Sequence, residues 1–217
     1  MIDKSQSVRS KGPRLFISRH RGFSLIEVLM SIVLIAIGIS LALPSYRDMV
    51  EKRQVTNGAE QLASFINSAQ GAAMKTNQDL WVRWDRKTDA EWCIGASTES
   101  NCTCAEANSC MVGGEEYVID NSRATDRDLF YSFSGGENNS YRIDQVRGVV
   151  TDSEKNIIGR DSFPVFKLKS PSGDFRLNLI VNSTGRVILC SDDSEHSVPG
   201  YEPCPSIADI QLAETGS

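Results

Sequence analysis

The chain has 217 residues, and its charge is unevenly distributed. The first 22 residues contain six of the 23 basic and one of the 28 acidic residues, which leaves 17 basic and 27 acidic residues and a net charge of −10 in the rest. Bulk charge of this sign does not favour binding to nucleic acid or to an anionic membrane. The roughly 170 residues after Pro44 suffice for one domain with its own core.

An uninterrupted apolar segment, Phe23 to Leu43, follows the basic leader, and Glu27 is its only charged residue. With a rise of about 1.5 Å per residue, such a segment forms a helix of about 32 Å, which is enough to cross a bilayer core. The preceding basic residues predict an N-terminus in the cytoplasm. A carboxylate in lipid needs a partner. A cut after Gly22 would create one, the free amino group of Phe23 on a neighbouring subunit.

The stretch Arg21-Gly22-Phe23-Ser24-Leu25-Ile26-Glu27-Val28-Leu29 resembles the class III leader of type IV pilins and type II secretion pseudopilins. The resemblance implies that a prepilin peptidase cleaves after Gly22 and methylates the new N-terminal Phe23. It also implies that Glu27 pairs with an adjacent subunit during assembly. An ordinary signal anchor with a chance glutamate is the alternative. A secretory signal peptide fits less well, because its apolar core is shorter and small residues should follow it.

Four segments are expected. Residues 1–22 form a cleaved leader, and residues 23–43 form the transmembrane and filament-core half of a long N-terminal helix. Residues 44–205 form a periplasmic pilin-like domain, and residues 206–217 form a flexible tail. The protein is therefore expected to cross the bacterial inner membrane once and then to enter a pilus or pseudopilus.

The helix is predicted to continue to about Asn77, because apolar residues recur at spacings of three and four beyond Pro44. These residues are Val55, Ala59, Leu62, Ile66, Ala69 and Ala73. Short β-type runs follow, and a long helix before an antiparallel sheet is an α+β fold. The predicted strands are Asp79–Trp84 and Glu91–Ile94 around a turn at Asp85–Asp89, then Tyr117–Ile119, Leu129–Phe133, Arg147–Thr151, Val165–Lys169, Phe175–Val181 and Arg186–Cys190.

All six cysteines lie beyond the apolar segment. With the topology above they face an oxidising compartment, so disulfides are expected. Cys190 and Cys204 bracket a polar loop and are predicted to form a local staple. The other four leave three pairings open, and a four-cysteine zinc site is the alternative, although the paired CxxC spacing is absent. These four are Cys93, Cys102, Cys104 and Cys110.

Two further segments resemble the GspH/FimT family within the pilin superfamily. The long helix of that family ends in alanine, small residues, methionine or isoleucine, lysine, asparagine and glutamine before a strand, and Ala69 to Gln78 follow this order. The segment Ser183 to Val187 resembles the closing Gly-Arg turn of that family. The positions of Cys190 and Cys204 after this turn resemble those of cysteines in FimT-like minor pilins. The implied partners are other pilins, the prepilin peptidase and the assembly platform. A GspH-like pseudopilin of type II secretion is the alternative.

Some FimT-like proteins bind DNA through a Gly-Arg-x-Arg motif in this last turn. The present sequence has Gly185 and Arg186, but Ile188 stands at the position of the second arginine. The loss of one of two phosphate-binding cations on an acidic domain disfavours DNA as a partner. Arg186 is nevertheless the candidate DNA contact.

A membrane-anchored enzyme is a different class of function. Beyond the leader the chain has one histidine, His196, which lies beside Asp192, Asp193 and Glu195. The chain contains no GxSxG, HExxH, SxxK, P-loop or GxGxxG motif. The acidic residues are interpreted as an exposed turn and not as a cation site. We therefore expect neither catalysis nor a metal or cofactor.

Two other features have alternative interpretations. A ligand platform would require three exposed tryptophans, Trp81, Trp84 and Trp92. Tryptophans in strands, however, usually pack in a core. The cysteine-rich loop offers a rigid surface that suits an adhesive tip. An adhesive role is compatible with a minor pilin.

Overall fold

The computed structural model describes residues 22–88, 91–122 and 130–205. The chain divides into two compact units, one up to Pro44 and the other from Ser45. One long helix, α1 (Leu25–Thr76), begins in the first unit and ends in the second. The leader up to residue 21 and the tail from residue 206 lie outside the described residues.

The first unit contains the apolar part of α1. The large apolar side chains that the structure describes in it, from Phe23 to Leu43, are between 47% and 81% exposed. Among the described residues, α1 is the helix that is long and apolar enough to cross a membrane, judged by length and composition. An exposed apolar surface of this extent needs lipid or another protein around it.

The second unit is built from short strands that follow α1. In chain order the described strands are β1 (Leu80–Thr88), β2 (Glu91–Ser97), β3 (Met111–Val112), β4 (Glu115–Glu116), β5 (Val118–Asp120), β6 (Phe130–Ser134), β7 (Ser140–Ile143), β8 (Val150–Thr151), β9 (Val165–Lys169), β10 (Arg176–Val181) and β11 (Val187–Ser191), with a 3-10 turn at Arg160–Ser162.

These strands form two main sheets. The first has the order β5-β2-β1-β7-β8, and the second has the order β11-β10-β9-β6. β3 and β4 form a separate two-stranded ribbon. All the pairings between these strands are antiparallel. The predicted α+β class, one long N-terminal helix packed on antiparallel sheet, is confirmed.

The predicted apolar stripe of α1 packs the core of the second unit. Its six residues, from Val55 to Ala73, are at most 1% exposed, and they belong to one cluster with the inner faces of both sheets. The helix ends at Thr76, one residue before the predicted end, because Asn77 takes a left-handed backbone (φ 52°) and the Gln78 N–H donates to the Ala73 carbonyl at 3.2 Å. This is a common helix C-terminal arrangement.

Several strand predictions need correction. β1 does not turn at Asp85 but continues to Thr88, which pairs with Glu91, because a β-ladder can extend past the core where its side chains are exposed. The predicted strand Arg147–Thr151 is reduced to β8, since residues up to Gly148 form a turn. β7 was not predicted at all, although it pairs with β1.

Candidate functional site

The N-terminal segment of the described chain leads directly into α1. Gly22, Phe23 and Ser24 lie before the helix, and the Ser24 carbonyl accepts the N–H groups of Glu27 at 3.0 Å and Val28 at 3.2 Å. The Phe23 side chain is 81% exposed. A Cβ atom on Gly22 would meet nothing within 4 Å. The described fold therefore does not itself require glycine at this position.

Glu27 lies in the first turn of α1, surrounded in sequence by exposed apolar side chains. A carboxylate is favoured there by the N-terminal end of the helix dipole. Its carbonyl accepts a hydrogen bond from the Ser31 hydroxyl at 2.7 Å. Within the described residues no cationic side chain pairs with the Glu27 carboxylate. Any charged partner of this carboxylate lies outside the described residues.

This segment matches a family model. The prokaryotic N-terminal methylation motif spans residues 17–43, and within it lie Gly22, Phe23, Glu27 and the apolar first part of α1. The chain carries the N-terminal methylation motif of type IV pilins. The motif and the apolar helix together indicate membrane anchoring and assembly with other pilins in a filament.

The similarity to solved structures is weaker than the match to the motif. The type IV minor pilin FimU of Pseudomonas aeruginosa (strain PAO1) is similar, with 12% sequence identity and a TM-score of 0.42. The similarity covers 70% of this chain and 98% of that chain. No curated protein sequence matches the chain. The methylation motif at residues 17–43 is thus the part of the chain that matches a known family.

The six cysteines form three disulfides, and disulfides were expected. Cys190 pairs with Cys204 across a Cα–Cα distance of 4.8 Å. In the cysteine-rich region, where the sequence left the pairing open, one disulfide joins Cys93 to Cys104 and the other joins Cys102 to Cys110. These four cysteines are at most 6% exposed and form a small cluster with Val118. The zinc alternative does not hold, because the sulfur atoms are bonded to one another.

The Gly185–Arg186 turn lies at a junction of three elements. The Gly185 carbonyl accepts a hydrogen bond from the Gln70 side chain of α1, and the Ser183 carbonyl accepts the Val150 N–H of β8 at 2.9 Å. The Arg186 N–H donates to Asn182 Oδ1 at 2.8 Å, and the Arg186 side chain is exposed. Gln70 and β8 thus fix the position at which Arg186 meets solvent.

A second arginine lies on the neighbouring turn. A Cβ atom on Gly185 would collide with the carbonyl of Gly148, so the turn that contains Arg147 abuts the turn that contains Arg186. Arg147 is 64% exposed and lies 3.8 Å from Asp144. Backbone N–H groups of the turn, first that of Arg147, hold the pKa of Asp144 below its ordinary value. No local sequence pattern indicates this proximity, because the two turns belong to different sheets.

Two aspartates of the acidic turn near the C-terminus have basic neighbours. Asp192 lies 3.8 Å from Lys167 and 3.9 Å from Arg176. His196 Nδ1 lies 2.9 Å from Asp193 Oδ1, and the His196 N–H and ring hold the pKa of Asp193 below its ordinary value. Among the described residues, no group of three or more His, Cys, Asp or Glu side chains is arranged to hold a metal ion.

The tryptophans lie mostly in the core, as interpreted from the sequence. Trp84 and Trp92 are each 3% exposed. The Trp84 ring lies 5.3 Å from the Phe166 ring in an edge-on contact. Trp81 is half-buried, and the Arg142 guanidinium lies over it at 5.7 Å. These contacts leave no stack of three exposed rings.

Proposed function

We propose that this protein is a minor pilin that a prepilin peptidase cleaves between Gly22 and Phe23 and that then enters a type IV pilus. The observation that carries the proposal is the register of the motif. Among the described residues, no atom lies close enough to Gly22 to require glycine there, and the next residue, Phe23, is exposed. One helical turn further on, the Glu27 carboxylate has no cationic partner among the same residues. A requirement outside the folded chain explains all three features.

The proposed assembly step is electrostatic. In the membrane the apolar half of α1 holds the subunit, with its N-terminus on the cytoplasmic side of the inner membrane and the second unit in the periplasm. After cleavage and methylation, the amino group of Phe23 on one subunit pairs with the Glu27 carboxylate of an adjacent one. Use of a buried ion pair to set register is a well-attested role for such pairs.

A substitution at Glu27 tests this step. We expect Glu27→Ala to leave membrane insertion intact and to lower the amount of this subunit in sheared filaments by about tenfold, the scale of one lost charge pair. Ser31→Ala is the matched control, because it removes a polar group one turn further along α1 without changing charge. Equal recovery of wild type and Glu27→Ala in filaments would contradict the proposal.

A GspH-like pseudopilin of a type II secretion system would use the same cleavage and the same helix. Deletion of the gene separates the two systems. Loss of twitching with normal release of exoproteins supports the pilus, and the reverse pattern supports secretion.

DNA binding is a second candidate role, and the abutting turns favour it. Although Ile188 replaces the second arginine of the motif, the turn that carries the exposed Arg147 abuts the turn that carries Arg186. If two cations contact phosphates, affinity should fall steeply with salt. Gel-shift binding at low salt that is lost in Arg186→Ala and Arg147→Ala, but kept in the exposed α1 variant Arg53→Ala, would establish the role. No retention at low salt would exclude it.

A further inference from the structure

The outer edge of β11 has backbone groups available for another strand. At the two ends of the pairing with β10, the Asp192 N–H donates to the Arg176 carbonyl and the Asn182 N–H donates to the Arg186 carbonyl. The backbone groups of Arg186 and Asp192 therefore point towards β10. Because backbone direction alternates along a strand, the N–H and C=O groups of Val187, Leu189 and Ser191 point away from the sheet.

Only the end of this edge is covered within the described chain. The Ser191 N–H donates to the Glu202 carbonyl at 2.8 Å, and the Cys204 N–H donates to the Ser191 carbonyl at 2.9 Å. The Cys190–Cys204 disulfide fixes this contact. Among the described residues, no backbone group bonds to the outward groups of Val187 and Leu189.

The strand also lacks the usual protection of an edge. Native edge strands are commonly shielded by charged residues, proline or a bulge. β11 contains Val187, Ile188 and Leu189, which are only half-buried, and it has no charge, no proline and an unbroken register with β10. An added strand would satisfy the free backbone groups and cover these apolar side chains.

The C-terminal tail has the sequence of a candidate strand. At least twelve residues follow Pro205, and when extended they reach about 40 Å. Ala208, Ile210 and Leu212 alternate with Asp209 and Gln211, and no proline occurs from residue 206 onwards. The charged residues of the tail are acidic, which complements the exposed Arg186 at the start of β11.

At Pro203 the chain runs in the wrong direction to cover the open part of its own β11 edge. Pro203 pairs with Ser191 in parallel orientation, so the chain at this point runs in the direction of β11. At Pro205, the last described residue, the chain is therefore directed away from Leu189 and Val187. We propose that the tail of one copy, residues 206–217, adds as a strand to the β11 edge of a second copy. The contact belongs to the second unit and does not depend on the proposed role of Glu27.

The test uses the detergent-solubilised chain without residues 206–217 and a fluorescent synthetic peptide of those residues. We expect saturable binding by fluorescence anisotropy. Two control peptides carry backbone N-methyl groups, one at residues 208, 210 and 212 and the other at residues 209, 211 and 213. In a strand only alternate N–H groups face the partner, and the open carbonyls of Val187 and Leu189 can accept two of them. One control peptide should therefore lose these two hydrogen bonds and bind about tenfold or more weakly, and the other should bind much better.

Other outcomes overturn the proposal. Absence of binding, or equal binding of both N-methyl peptides, contradicts strand addition.

A variant of β11 and a crosslinking experiment test the same contact from the protein side. Leu189→Pro removes an outward N–H without removing a bond to β10. This variant should therefore keep its fold, as measured by circular dichroism, and should no longer bind the peptide. In the full chain, a photo-crosslinker at position 212 should join two copies through β11. A crosslink within one copy would show that the tail folds back, and would contradict an exchange between copies.

Discussion

Gly185 occupies a point of the chain that leaves no room for a side chain. Its φ is +78°, a backbone conformation that residues with a Cβ atom rarely adopt. A Cβ atom there would also run into the Gly148 carbonyl and the Gln70 side chain. At Gly185, therefore, α1 and one turn from each of the two sheets pack closely against one another.

Gly185→Ala should therefore destabilise the second unit by about 2–4 kcal/mol, since a backbone strain of about 1–2 kcal/mol adds to the steric overlap. Gly148→Ala is the matched control. It has a φ of +65° but nothing within 4 Å of the added Cβ, so only the backbone strain applies. Urea unfolding of the detergent-solubilised chain measures both. Equal losses in the two variants would show that the junction is not tightly packed.

At the scale of elements, the cysteine-rich loop is held against β2. Gly95 lies in β2 beneath the disulfides, where an added Cβ would come within 3.0 Å of the Cys110 Cβ and 3.1 Å of the Cys104 Cβ, and closer still to the Cys110 sulfur. The loop and the strand are therefore packed as one piece.

Gly95→Ala should push this loop away from β2. The expected cost is about 1–3 kcal/mol of the free energy of unfolding, the usual scale of overpacking. Peptide mapping without reduction should also show mixed pairing among Cys93, Cys102, Cys104 and Cys110. Gly71→Ala, on the exposed face of α1 with nothing within 4 Å, should not destabilise the chain. Native pairing and unchanged stability in Gly95→Ala would contradict this packing.

Elements with a strong apolar period were predictable from the sequence. The stripe of α1 and the strand β9 were placed correctly, because their apolar residues recur at helical and strand spacing. β7 was missed because Arg142 interrupts its apolar pattern. In the structure this arginine is buried, and it donates to the Thr151 hydroxyl at 3.1 Å and lies 3.8 Å from Asp79. Partners from distant parts of the chain cannot be read from local sequence.

The candidate site was predictable in the same uneven way. Gly22, Phe23 and Glu27 lie within a few residues of each other, so sequence alone places them in register. The pairing of the four clustered cysteines, the proximity of Arg147 to Arg186 and the open edge of β11 depend on the tertiary fold. None of these has a local sequence signature.

At the scale of the whole molecule, acid should weaken the fold. Three aspartates at loop turns have a pKa below the ordinary value, chiefly because backbone N–H groups donate to the carboxylates: those of Arg147 to Asp144, of Asn156 to Asp152 and of His196 to Asp193. A lowered pKa in the folded state stabilises the fold above the unfolded value of about 3.9, and this stabilisation is lost as the pH falls below it.

We therefore expect the midpoint of thermal unfolding to be steady near neutral pH and to fall below about pH 4. Circular dichroism of the detergent-solubilised chain follows this change. Asp152→Asn should give a flatter acid profile than wild type, whereas Asp48→Asn, on the exposed part of α1, should give the same profile as wild type. A midpoint independent of pH down to about pH 3 would show that these turns do not contribute to stability.

The assembly account depends on the exposed junction before α1 being cut and its new amino group being used. Mass spectrometry of the N-terminal peptide, from membranes and from sheared filaments, tests this directly. The account predicts a chain that begins at Phe23 and carries one methyl group on its α-amino nitrogen. A chain that still begins at Met1, or one that begins beyond Leu43, would leave Glu27 without its proposed partner and would contradict the account.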